Sequence, residues 1–353
     1  MGFEVDFLAV GDGERGGDSI ALRFGDLNGE RSDQTVIIID GGTKDSGQEL
    51  VDHINEHYGT NMVDYVFLTH PDSDHSSGLT VVLEEMEVGH LFMHQPWEYA
   101  DEIKKVIEQE VTEKTVENRF RKSLKMAHSL KEIADEKGIQ ITEPFEGLTL
   151  GNGMIHILGP HQDFYKELLP DFRGITEMTE TDSGASILKQ LLTKAKDALV
   201  WVEEAMHIET LDDSGETSPE NNSSAIILVS LGGKQLMFTG DAGIPALTAA
   251  LDYCDGIGLA LNDLHFFQIP HHGSRRNIGP GILNRIQPNI GYVSAPKEGD
   301  PKHPSKRVTN ALIRRNIKPY STQGKGLRHH DNAPERSGWS AATPLPFHEK
   351  FQE

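Results

Sequence analysis

The stretch Thr69-His70-Pro71-Asp72-Ser73-Asp74-His75 constrains this chain more than any other. Two histidines and two carboxylates fall within six residues, directly after the apolar run Val63-Asp64-Tyr65-Val66-Phe67-Leu68. Burying such a cluster at a strand end is costly unless a partner satisfies its polar groups. A divalent metal is the partner that imidazole and carboxylate donors share. The run predicts a buried strand that carries a ligand loop at its C-terminal end, with His70, Asp72, Asp74 and His75 as metal ligands.

The surrounding pattern is layered α/β. Phe3, Val5 and Phe7 alternate with Glu4 and Asp6 and read as a strand, followed by a turn at 11–17. Further strands are expected at 19–24, 35–39, 139–141, 154–158, 225–231 and 235–239. Helices are expected at 47–58, 78–86 and 305–316. Residues 101–137 are charged with apolar residues at helical spacing and predict two outer helices. A helix near 184–205 leads into the acidic, Ser/Gly-rich tract 209–222, which reads as a mobile loop or a partner-binding insertion. The tail after 330 reads as irregular.

Four more motifs stand at strand ends: Thr239-Gly240-Asp241, Pro270-His271-His272-Gly273-Ser274, His303-Pro304-Ser305 and Ser321-Thr322-Gln323-Gly324. With Gly17-Asp18-Ser19 and Asn221-Asn222-Ser223-Ser224, they resemble the metallo-β-lactamase superfamily. The resemblance is to the domain of that superfamily found in ComEC-type DNA-uptake proteins and their stand-alone relatives. Asp72 stands where the general His-x-His-x-Asp-His pattern has its second histidine. The resemblance spans about residues 3–328 and implies a four-layer αββα sandwich. The chain is then a single domain, 1–353, with insertions at about 94–137 and 161–222.

The resemblance implies two divalent metal ions. Asp74, His75 and one of His271 and His272 would hold one, with His271 favoured; His70 and Asp72 would hold the other, with Asp241 bridging. Superfamily members usually add a histidine before the Thr-Gly-Asp strand, where this chain offers Asn221 and Asn222. Oxygen donors in place of imidazoles shift the preference from Zn²⁺ towards Mn²⁺ or Mg²⁺. Asp18, Asp40, Thr69, Asn222 and His272 would orient the ligands. Asp74, Asp241 and His303 would be catalytic, and Ser274, Arg275, His303 and Ser305 would contact substrate. The implied activity is two-metal hydrolysis of phosphodiesters, with DNA or small nucleotides as the anionic substrate. The alternatives are a partner-dependent effector or regulatory subunit that docks through the insertions, and a hydrolase of lactones or other non-phosphate esters.

Composition adds limits. The one cysteine, Cys254, excludes a disulfide framework and a Cys-rich zinc site. No apolar run reaches the roughly 20 residues that span a bilayer, and the N-terminal residues lack a signal-peptide pattern, so a cytoplasmic protein is expected. The net charge of −22 argues against indiscriminate nucleic-acid binding. It hides an asymmetry, because residues 270–336 carry 13 Lys and Arg against 4 Asp and Glu. That basic stretch predicts an active-site mouth that attracts anions; the plain alternative is a solvated basic face. The acidic segment 203–220 would cover this mouth in an off state.

Overall fold

The structure is a computed structural model that describes residues 1–11, 16–107, 111–179, 200–261, 264–297 and 303–353. Its strands are β1 Gly2–Phe7, β2 Ser19–Gly25, β3 Gln34–Gly41, β4 Met62–Phe67, β5 Glu87–Phe92, β6 Gln140–Thr142, β7 Thr149–Leu150 and β8 Ile155–Gly159. They continue as β9 Trp201–Glu203, β10 Ile226–Leu231, β11 Lys234–Phe238, β12 Phe266–Gln268, β13 Ile290–Val293, β14 Lys318–Ser321, β15 Leu327–Asp331 and β16 Lys350–Gln352. One seven-stranded sheet runs β15-β1-β2-β3-β4-β5-β6, and a second runs β14-β13-β12-β11-β10-β8-β7.

The period-two side-chain rule explains the stacking. Phe3, Val5, Phe7, Ile20, Leu22, Ile37 and Ile39 of the first sheet meet Ile155, Ile157, Ile227, Val229, Leu236 and Phe238 of the second in one apolar layer. The alternate residues Ala21, Val36, Ile38 and Val66 face outward, under Leu50, Leu79, Leu83, Phe120 and Leu130 of the outer helices. On the second sheet Ile226, Leu228 and Met237 face outward under Leu247, Leu251, Leu283 and Leu312. Three apolar layers between four secondary-structure layers make the αββα sandwich.

Strand direction then places the chemistry. β3 to β6 are parallel, as are β11 to β14. Parallel strands expose their carboxyl ends on a common edge, where open α/β sheets gather ligands. Asp40 ends β3, His70 follows β4, Asp241 follows β11 and His271 follows β12.

Several elements differ from expectation. The helix after the ligand loop begins at Ser73, with Asp72 as its cap residue, so Asp74 and His75 lie in its first turn. The amides of His75 and Ser76 bond to the Asp72 carbonyl at 3.1 and 2.9 Å, which closes that turn. Among the described residues the outer segment holds the helices Ala100–Val106, Glu113–Ser123 and Lys125–Lys137, the last two parted where Leu124 leaves helical geometry (ψ 39°). The expected helix 184–205 lies mostly outside the described residues, as does most of the turn at 11–17. Its end, Trp201–Glu203, is a strand paired with β16 from the tail.

The acidic tract is pinned rather than loose. Glu209 binds Arg315 at 2.7 and 3.2 Å, and Asp213 accepts the Gly281 amide at 2.9 Å. Buried Glu204 accepts from Asn310 at 2.7 Å and from Arg314 at 3.0 Å.

Asp6 on β1 gives a pH-dependent contribution. Burial opposes its charge, but His53 and Arg336 outweigh that and lower its carboxyl from 3.8 to about 2. A depressed folded-state value stabilises above the unfolded value and is lost as pH falls from about 4 towards 2. The shift corresponds to about 2 kcal/mol. Urea unfolding across that range will show the loss in the wild type and a flatter profile in Asp6→Asn; parallel profiles would contradict it.

Candidate metal centre

The centre is built by four strand ends that the two sheets bring together. Ala225 donates its amide to the Thr69 carbonyl at 2.9 Å, and His271 donates its amide to the Gly240 carbonyl at 3.1 Å. Two glycines permit this approach. A Cβ on Gly17 (φ 62°) would run into the Asp74 carbonyl, and one on Gly240 (φ 50°) would meet the Thr69 side chain.

Four imidazoles surround one carboxylate. Asp241 Oδ2 lies 3.7 Å from His70 Nε2 and 3.7 Å from His271 Nε2, while Oδ1 lies 3.6 Å from His75 Nε2. Donor atoms of His272 group with those of His271 and Asp241, and also with those of Asp74 and His75. These spacings are too long for hydrogen bonds and suit atoms that share a cation.

The Nδ1 atoms are fixed from behind. His75 Nδ1 donates to Asp40 Oδ2 at 2.8 Å, and His272 Nδ1 donates to the Ser294 carbonyl at 2.9 Å. Thr69 Oγ1 donates to Asp40 Oδ2 at 2.6 Å, so it accepts from His70 Nδ1 at 3.1 Å. His271 Nδ1 lies 2.9 Å from Asn277 Oδ1 and 3.0 Å from Asn221 Nδ2; donation to Asn277 leaves its Nε2 lone pair facing Asp241. With every Nδ1–H engaged, each Nε2 presents a lone pair to the interior.

Two of those Nε2 atoms and one carboxylate oxygen are without a hydrogen-bond partner among the described residues. His70 Nε2, His75 Nε2 and Asp241 Oδ1 are buried without a hydrogen bond. Burial and His75 hold His70 down to about 4, so its imidazole is neutral at physiological pH. Burial opposes charge on His75, yet Asp241 and Asp40 outweigh it and raise its pKa well above the usual value. Burial likewise opposes charge on Asp241, but His271, His75 and His272 hold its carboxyl well below the ordinary range. Unpartnered lone pairs around excess buried negative charge fit a bound cation.

The other expected residues fall as follows. Asp40 and Thr69 orient His75 and His70. Asp18 accepts from Gln268 Nε2 at 2.5 Å and lies 4.0 Å from His75 Nδ1; burial raises its carboxyl to about 6. Asn222 Oδ1 is buried and unpaired, and it is Asn221 that reaches His271. Ser274 Oγ accepts the Arg276 amide at 3.2 Å, and Arg275 is partly exposed. The His303 ring lies 6.0 Å from His271 and 6.1 Å from His272. Burial and these two imidazoles lower its pKa to about 3. Ser305 Oγ and His303 Nδ1 are buried and unpaired. Asp72 is absent from the grouped donors; its carboxylate pairs with Arg173. Sequence reasoning passed over Asn277, Gln268 and Arg173, none of which belongs to a recognisable motif.

The basic stretch is less available than its count suggests. Arg285 pairs with Asp252 and Asp255, Arg307 with Glu353, Arg314 with Glu204, Arg315 with Glu209, and Arg328 and Arg336 with Glu4. Much of its positive charge is therefore neutralised within the chain. The acidic tract neutralises part of it as a structural partner.

Asp40→Asn keeps the shape and removes the charge behind His75. Divalent-metal affinity is expected to fall about 10- to 100-fold, the usual cost of losing an outer partner of a ligand histidine. Isothermal titration with Mn²⁺ or Zn²⁺ checks it, and unchanged affinity would exclude the orienting role.

Residues 30–166 match the model of the metallo-beta-lactamase superfamily. ComE operon protein 3 of Bacillus subtilis (strain 168) is 25% identical over 114 residues, 32% of this chain and 14% of that protein. Only a small part of that relative's length is thus represented. Among solved structures, a diphosphatase of the PhnP family is 12% identical over 94% of this chain and 99% of its own, with a TM-score of 0.40. The long form of RNase Z from yeast is 12% identical over 92% of this chain and 41% of its own, with a TM-score of 0.37. CmlA, a diiron β-hydroxylase from Streptomyces venezuelae, is 12% identical over 93% and 53%, with a TM-score of 0.45. Residues 30–166 thus carry the likeness to the metallo-β-lactamase superfamily, and the paired sheets and His/Asp clusters agree with that likeness.

Proposed function

We propose that this protein is a two-metal hydrolase of phosphodiester bonds, acting on DNA or small nucleotides. The observation that carries the metal reading is the set of three imidazoles whose Nε2 atoms lie 3.6–3.7 Å from the Asp241 carboxylate, with His272 grouped beside them, while all four Nδ1 atoms are held from behind. His70, His271 and Asp241 Oδ2 would form one position. Asp74, His75, His272 and Asp241 Oδ1 would form the other. Both histidines of the Pro-His-His-Gly motif thus take part, where one had been expected, and His271 supplies the imidazole that Asn221 and Asn222 do not. That makes the donor set richer in nitrogen than the sequence suggested and brings Zn²⁺ level with Mn²⁺.

Bound divalent ions supply a nucleophile at neutral pH and neutralise charge developing on phosphorus. The chain's own groups do the rest. Asp241 fixes the separation of the two positions, and Asp40 holds the His75 ring. Ser305 Oγ and His303 Nδ1 offer unpaired polar atoms to a phosphate oxygen or leaving group. The phosphodiester reading is supported by the resemblance to the ComEC-type domain and by Arg275, which follows the His271–Ser274 turn.

The test is hydrolysis of bis-p-nitrophenyl phosphate and end-labelled single- and double-stranded DNA with Mn²⁺, Zn²⁺ or Mg²⁺. Metal-dependent cleavage supports the reading. Two bound metals with no phosphodiester cleaved would overturn it in favour of another ester.

A further inference from the structure

Asp72 occupies a ligand position in the loop sequence, yet among the described residues its carboxylate is not grouped with the other donors. Its Oδ1 pairs with Arg173 Nη2, contributed from 101 residues downstream by the helix Arg173–Thr179. Arg173 is itself anchored. Its backbone N–H donates to Glu220 Oε1 at 2.8 Å, and its Nε lies 3.2 Å from the same oxygen. Glu220 is buried, and so is the neighbouring Phe172. The side chain is half exposed, and its contacts with Glu220 hold it beside Asp72.

Asp72 has no competing structural duty. It is the cap residue of the helix Ser73–Glu85, but its side chain makes no capping bond. Burial raises its carboxyl while Arg173 lowers it, and the charges of Asp74, His75 and Asp241 are felt there too. Its carboxylate thus stands between two cation positions, the guanidinium and the cluster. Releasing it leaves Arg173 paired with Glu220, so neither alternative strands a charge.

Resting on the two-metal reading above, we infer that Arg173 is a positioning residue: an internal cation that holds Asp72 out of the cluster and so weakens one of the two metal positions. The position affected is the one to which His70 contributes, because Asp72 lies two residues beyond His70 in the same loop. The protein then binds its two divalent ions unequally, and the second enters only as Asp72 exchanges the guanidinium for the metal.

Mn²⁺ titration of the full chain tests this, with bound and free metal separated by electron paramagnetic resonance and melting temperature recorded for each variant. The wild type is expected to bind one ion tightly and one weakly. Arg173→Ala and Arg173→Gln are expected to tighten the weak site about tenfold, the scale on which outer partners move metal affinity, and to leave the tight site unchanged. Adding Asp72→Asn is expected to abolish the gain, which a merely structural role for Arg173 does not predict. An unchanged or weakened second site in both Arg173 variants would overturn the inference while leaving the two-metal reading intact. A wild type that binds no metal would overturn both.

Discussion

Asp241→Asn is expected to lower phosphodiesterase kcat/KM by about 10³-fold or more, and bound metal from two ions to one at most. Among the described residues this carboxylate is the one whose two oxygens face both proposed positions, Oδ2 towards His70 and His271 and Oδ1 towards His75. An amide keeps the volume but removes the anion that offsets two divalent charges. Losing several kcal/mol of metal-based transition-state stabilisation corresponds to about three decades in rate. The backbone contacts of residue 241 do not depend on the carboxylate: its N–H donates to Ser224 Oγ at 3.2 Å, and its carbonyl accepts from Asn277 at 2.8 Å. Kinetics on bis-p-nitrophenyl phosphate with elemental analysis of the same sample will decide. Activity within tenfold of wild type at full metal content would remove Asp241 from the bridging role.

Glu4→Ala is expected to destabilise the fold by about 3–5 kcal/mol, the usual cost of stripping the partner from a buried charge. Glu4 is fully buried on β1 and binds three arginines: Arg23 from β2, Arg328 from β15 and Arg336 from the tail. Arg328 Nε and Arg336 Nη2 donate to Oε2 at 2.7 and 2.8 Å. Arg336 also reaches Asp6, which accepts from Tyr58 at 2.8 Å. Removing Glu4 leaves Arg23 with long hydrogen bonds to Gln34 at 3.3 Å and the Tyr58 carbonyl at 3.5 Å and with the Tyr58 ring 4.5 Å away, but without a carboxylate partner among these contacts. Urea unfolding at neutral pH measures the effect. A loss below about 1 kcal/mol would place the network among ion pairs of little net worth.

Neither acid of β1 announces this role in the sequence. Glu4 and Asp6 alternate with Phe3, Val5 and Phe7, as the polar face of any half-buried strand does. Their burial depends on Arg328 and Arg336, more than 300 residues away, and no local pattern encodes that pairing. The same limit applied to the basic stretch. Its charge excess was visible, but the partners of Arg314, Arg315 and Arg328 were not.

The ligand loop, the strands that feed it and the layered class were legible because they rest on local periodicity and on donors at short spacing. Val63, Val66, Phe67 and Leu68 had to be buried, and His70, Asp74 and His75 had to follow them. Asp241 and His271 were recognisable because each follows an apolar run in a family-like motif, and His303 because its His-Pro-Ser motif precedes a helix. The division of labour was not local. That His271 and His272 both face Asp241 follows from their left-handed backbone (φ 47° and 56°) and from the anchors at Asn277 and Ser294. That Asp72 turns to Arg173 follows from where Glu220 fixes the later helix. The sequence by itself determined which donors this protein owns and which strand ends carry them. Only the tertiary structure decided which donors share a carboxylate and which is held back, because those outcomes depend on contacts between residues far apart in the chain.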